Sequence, residues 1–109
     1  MPRRYARYMI ERHWIGVLRH DEVEHYLAHL RNEVFPVLRK LDGFAGAVAS
    51  TRELADGVEV RVVTTWSSRD AIERFAGSDV TVAVVADVAK AMMVRCDERA
   101  THYDVKLRG

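Results

Sequence analysis

The chain has 109 residues, 49% of them hydrophobic, and a formal charge of +1, which suits one domain over residues 1–109 with a single core. The balanced charge excludes the basic footprint of a nucleic-acid binder, and Arg3, Arg4 and Arg7 read as a solvated terminus. A single cysteine, Cys96, excludes an internal disulfide framework; the longest apolar run, 80–86, is too short for a bilayer, and no secretory pattern opens the chain, so a cytoplasmic location without membrane contact is expected.

Residues 6–17 read as a first strand, with Tyr8, Ile10, Arg12 and Trp14 on one face and Met9, Glu11, His13 and Ile15 on the other. Both rows mix apolar and polar residues, so parity does not decide which is buried. A helix follows, capped by Asp21 with Glu24 completing a capping box, and Val23, Tyr26, Leu27, Leu30 and Val34 form its apolar stripe. Pro36 is expected to end or kink it, leaving 37–41 as a short second piece, before Asp42-Gly43 turns the chain. Residues 44–54 read as a second strand, and Ala55-Asp56-Gly57 as a hairpin turn that uses positive backbone angles. In the third strand Val58, Val60, Val62, Thr64 and Trp66 share a face. A helix then starts at Ser67, with Asp70 in its capping box, carries Ala71, Ile72, Phe75 and Ala76 on its apolar side and stops at Gly77. Residues 79–94 are apolar all round and are assigned to a buried helix on length, against their β-branched content. Residues 98–107 close the chain as a strand, giving strand, helix, strand, strand, helix, strand. That order is the ferredoxin-like α+β pattern, an antiparallel sheet with helices on one face.

Thr64-x-Trp66-x-Ser68 followed by Asp70-Ala71-Ile72-x-x-Phe75-Ala76-Gly77 resembles the antibiotic biosynthesis monooxygenase (ABM) family. Trp14-Ile15-Gly16, Asp42-Gly43-Phe44-Ala45-Gly46 and Thr101-His102-Tyr103-Asp104-Val105 extend the resemblance, in order and spacing, over residues 8–105. The resemblance implies two ferredoxin-like sheets paired as a dimeric α+β barrel, hence a homodimer. It also implies cofactor-independent oxygenation, by dioxygen, of a polycyclic aromatic or polyketide-like phenol. A non-catalytic small-ligand binder, or an isomerase or cyclase on the same scaffold, would share the fold. Haem-degrading relatives carry an iron-ligating histidine on the helix after the tryptophan and an asparagine on the first strand. Residues 71–85 hold no histidine and the only asparagine is Asn32, so no haem ligation is expected there.

His102, a strand histidine, is the candidate general base, since an ordinary imidazole titrates near neutrality; the competing reading is a histidine satisfied by a neighbouring hydroxyl or carbonyl. Trp66, at the strand-helix junction, is the candidate pocket wall, supported by a tryptophan that recurs in the family. Trp14, Phe35, Phe44, Phe75 and Tyr103 are candidate substrate contacts, with a plain core role as the alternative for the phenylalanines and for Tyr26. His25 and His29 lie four apart with Glu22 and Glu33, a metal-ligand spacing, but without an HExxH pattern and on a stripe expected to face solvent; no metal site is assigned. Arg12, Arg52 and Arg61 are expected to pair across strands with Glu11, Glu53 or Glu59. Cys96 reads as a small buried hydrophobe.

Overall fold

The computed structural model describes residues 9–109. The expected strand residues 6–8 and the basic start at Arg3, Arg4 and Arg7 lie outside it. Strand β1 (Ile10–Leu18) is central: β3 (Gly57–Trp66) pairs antiparallel on one side, and β2 (Phe44–Leu54) pairs with β3. On its other side β1 takes two short strands, β4 (Met93–Cys96) and β5 (Thr101–Asp104). Gly16 stands opposite Cys96 and His13 opposite Thr101, so the last strand is one edge interrupted at residues 97–100. The sheet order, β2-β3-β1-β4/β5, is that of the ferredoxin-like fold.

The even-numbered row of β1 faces the helices: Trp14 and Leu18 are buried, as are Val60, Thr64 and Trp66 on β3. The opposite row carries Glu11, His13 and Ile15 on β1 and Val63 on β3, with Val48 exposed on β2. Two apolar clusters fill the space under the helices. One joins Trp14, Leu18, Tyr26, Leu30, Val60 and Met93; the other joins Leu38, Trp66, Ala71, Ile72 and Val80.

The first helix begins through a 3₁₀ turn at His20–Glu22, which takes Asp21 inside the turn and puts Glu22 at the cap position without a side-chain cap hydrogen bond, so the expected Asp21–Glu24 capping box does not form. Helix α1 (Val23–His29) runs into a π turn (Leu30–Val34) and then α2 (Phe35–Leu38). Pro36 has no N–H to close an ordinary turn, and Phe35 N–H reaches back to Leu30 O instead. The hairpin at residues 55–56 forms without any positive φ. Gly57 is required for another reason: a Cβ there would stand 2.4 Å from Leu18 O. Gly43 does use a positive φ, +88°, and its carbonyl accepts from Ser67 N–H at 2.8 Å. That bond holds Ser67 outside the helix, so Ser68 caps α3 (Arg69–Ala76), its hydroxyl accepting from Ala71 N–H. Gly77 ends α3 at φ +93°.

Residues 79–94 are not one helix. Only α4 (Asp87–Lys90) is helical, and β4 follows. Val80 and Thr81 lie in a turn closed by Val82 N–H on Asp79 O, Val82 forms a single β-bridge, and residues 83–86 have no regular structure, in keeping with the low helix preference of a β-branched run. This segment is stitched to the interrupted edge strand: Ala100 N–H donates to Thr81 O, Ala83 N–H to Glu98 O, and Val82 bridges Arg99. Among the described residues, no helix is long and apolar enough to cross a membrane.

Candidate functional site

A cleft of about 260 Å³ opens between the sheet and α1, α2 and α3, where the two apolar clusters meet. Trp14, Val62 and Thr64 form its floor, Phe35 and Phe75 its walls, and the exposed Val37 and Val84 its rim. The lining is predominantly apolar, as ligand sites are, and the volume lies just below their usual range of about 300–1,000 Å³. Burial pushes the Tyr26 phenol up, with a further contribution from Cys96, so Tyr26 meets the cleft as a neutral hydroxyl.

Arg12 is the charged group on the cleft floor. It is 5% exposed, on a face otherwise given to core residues. Its Nη1 donates to Val80 O and, at 3.0 Å, to His102 Nε2; its Nη2 donates to Val82 O at 2.8 Å. The guanidinium also lies 5.7 Å from the centre of the Phe75 ring. No carboxylate pairs with it among the described residues. Burial lowers its pKa, yet a guanidinium stays charged in a protein. Among the described residues three N–H groups of this five-donor fork are engaged. The cross-strand ion pair expected of Arg12 does not form, and Glu11, beside it on the same strand, points to the other face and holds His13 at 2.9 Å. Arg52 does pair with Glu59, at 3.0 and 3.1 Å.

His102 stands directly opposite Arg12 in the β1–β5 register. An arginine only donates, so His102 Nε2 accepts and its proton resides on Nδ1. Burial, then the charges of Arg12 and Arg69, hold its pKa below the ordinary value. His102 is therefore neutral, but the lone pair a base needs is already directed at Arg12. Its geometry is that of a group that positions the guanidinium, which departs from the expected proton acceptor.

Trp66, the expected pocket wall, is 0% exposed and has no surface on the cleft. It sits one layer deeper, stacked on Phe75 with ring centres 5.4 Å apart and edge-on to Phe44 at 5.4 Å. Its indole N–H donates to Thr64 Oγ1 at 2.8 Å, which orients that cleft hydroxyl's residue. Phe44 likewise packs on Trp66 away from the cleft. Tyr103 lies on the far face of the sheet, half exposed, with its ring 4.7 Å from that of His13. Trp14, Phe35 and Phe75 do line the cleft. Trp14 is also anchored, its indole N–H donating to Asp97 O at 2.9 Å.

The sequence places His29 and Glu33 on a solvent-facing stripe; Glu33 is exposed as expected, at the edge of the cleft, whereas His29 turns in to border it. The His29 side chain is 10% exposed, against 71% for His25. The buried stripe of α1 centres on Tyr26 and Leu30, and at 3.6 residues per turn His29 lies only about 60° from Tyr26. Among the described residues there is no cluster of three metal-ligating side chains.

In overall structure the chain is similar to a conserved protein from Methanosarcina mazei Go1, at 11% identity and TM-score 0.71, covering 95% of this chain and 99% of that one. It is also similar to a putative antibiotic biosynthesis monooxygenase from Bacillus cereus, at 18% identity and TM-score 0.67, over 94% and 95% of the two chains. A third similar structure is the ActVA-Orf6 monooxygenase of Streptomyces coelicolor in complex with Nanaomycin D, at 20% identity and TM-score 0.61, over 94% and 90%. No curated protein matches the chain. The family model for antibiotic biosynthesis monooxygenase matches residues 18–87, from the end of β1 into α4, and the chain belongs to that family.

Proposed function

We propose that the protein is a cofactor-independent monooxygenase that binds a flat, fused-ring phenol in the cleft and holds its oxyanion on Arg12. The observation that carries this reading is a buried cation, without an acidic partner among the described residues, in an apolar cleft. A charge kept out of water at such a place is stabilised when an anionic ligand supplies the missing partner. The Streptomyces coelicolor monooxygenase of similar fold was solved with Nanaomycin D, which supports a polyketide-like aromatic as the ligand class.

The substrate supplies the reducing power. A phenolate is electron-rich enough to pass an electron to dioxygen, and Arg12 favours that anion over the neutral phenol. For an anthrone, the ring methylene becomes a carbonyl: one oxygen atom of dioxygen enters the product and the other leaves as water with the two methylene hydrogens. Val62, Phe35 and Phe75 keep the ring in dry, apolar surroundings. In this reading His102 fixes Arg12, and Trp66 supports Phe75 from behind.

Oxygen uptake with an anthrone tests the reading. The wild type should consume one dioxygen per quinone formed, and Arg12→Met should lower kcat/KM by about 10²–10³-fold, the usual cost of an oxyanion donor. Tight binding without oxygen uptake would instead mark a ligand-binding protein, and conversion without oxygen an isomerase or cyclase.

A further inference from the structure

We propose that His29, oriented by Glu33, is the general base that takes the phenolic proton. The proposal rests on the cleft reading above and names the proton acceptor that reading leaves open.

His29 Nδ1 lies 2.9 Å from Glu33 Oε2. A carboxylate only accepts, so Nδ1 carries the proton and Nε2 keeps its lone pair, on an imidazole that borders the cleft. Nucleophile-activating dyads use the same logic: one ring nitrogen held by a carboxylate, the other left to accept a proton. His102 has the reverse arrangement, its Nε2 lone pair spent on Arg12. Of the two histidines beside the site, only His29 is poised to accept.

Three further features fit. The His29 side chain is nearly buried while that of Glu33 is 68% exposed, so a proton taken in the cleft has a route to water. The His29 ring is tilted on Tyr26, centres 6.2 Å apart, which restricts its rotation. Glu33 lies within the π turn that Pro36 imposes, a distortion of the kind often found at functional sites. The ionisable groups bordering the cleft with His29 are Glu33 and Tyr26 from its own helical segment and Arg12 from β1. In the step, the phenol O–H bond breaks and an Nε2–H bond forms. The phenolate charge is left to Arg12 and the imidazolium charge to Glu33.

The test uses 7-hydroxycoumarin, a fused-ring phenol whose absorption distinguishes phenol from phenolate, at a neutral pH where the free dye is mostly protonated. Binding is followed by absorption and by calorimetry in two buffers of different ionisation enthalpy, which counts protons exchanged with solvent. Wild type should bind the dye as phenolate with no proton released, because the proton moves to His29. His29→Asn should bind it either as neutral phenol or with a proton released to the buffer, and the bound ionisation constant should fall at least about tenfold. Glu33→Gln, at an exposed position, should give an intermediate shift, and His25→Asn none, since the His25–Glu22 pair lies outside the cleft. If His29→Asn matches wild type in both colour and proton count, or if wild type releases the proton to the buffer, the dyad is overturned while the cleft reading stands. If wild type binds no dye, the cleft reading falls and the dyad with it.

Discussion

Among the described residues every polar partner of Arg12 is neutral, two backbone carbonyls and an imidazole, so its charge is solvated there without being cancelled. His102 belongs to the same arrangement and gives it a pH signature. Its pKa is lowered from 6.5 in the folded chain, so as pH falls below that value the unfolded chain takes up the proton first. The stability due to neutral His102 is complete above 6.5 and is lost as pH falls through the lower folded value. His102→Gln keeps an acceptor for Arg12 but does not titrate. Thermal melts from neutral to acid pH should show the wild type losing more of its Tm than this variant. Parallel curves would contradict the assigned contact. Arg12→Met should also cost about 1–3 kcal/mol for each carbonyl left without a donor, seen as a lower Tm. Little of this was legible in the residues. Both faces of β1 carry polar side chains, and strand arginines commonly pair with glutamates across strands, so cross-strand pairing is the natural reading of the sequence. Only the registry with His102 and the approach of residues 80–82 reveal otherwise. His29 is hard to place from sequence because a stripe of Val23, Tyr26, Leu27, Leu30 and Val34 is broad, and only the burial of Tyr26 and Leu30 shows that the helix turns its His29 side toward the sheet.

At the scale of elements, the alternating strands were readable because period-two patterns with a buried row leave little freedom: β2 falls on its expected residues and β3 begins one residue early. Residues 79–94 were not readable, because an apolar, β-branched run has no period and its conformation is decided by partners far away in sequence. Arg12 takes Val80 and Val82 carbonyls, and the gap in the edge strand takes Thr81 and Ala83. The hairpin was found for a reason the backbone does not use. Gly57→Ala should destabilise by about 1–3 kcal/mol in denaturant titration, because its Cβ meets backbone that cannot withdraw. Trp66→Ala should cost about 3–5 kcal/mol, as a fully packed ring one layer behind the cleft. If the variant stays folded, its dye affinity should change less than that of Arg12→Met; the reverse order would return Trp66 to the site.

For the whole molecule, one face of the sheet is covered by helices and the other presents Ile15, Val63, Val48 and Tyr103. In the dimeric barrel that the family resemblance implies, a second copy covers that face. Light scattering should accordingly give about twice the chain mass of 12.5 kDa, and a monomer at micromolar concentration would contradict the pairing. The cleft lies on the opposite side, under the helices, away from that open face. A crystal structure with a bound hydroxyanthraquinone tests that placement most directly. The ring is expected beside Phe35 and Phe75, with its phenolate oxygen about 2.7–3.2 Å from the Arg12 guanidinium. A ring bound on the open face of the sheet, or in the cleft with its oxygen turned away from Arg12, would contradict it.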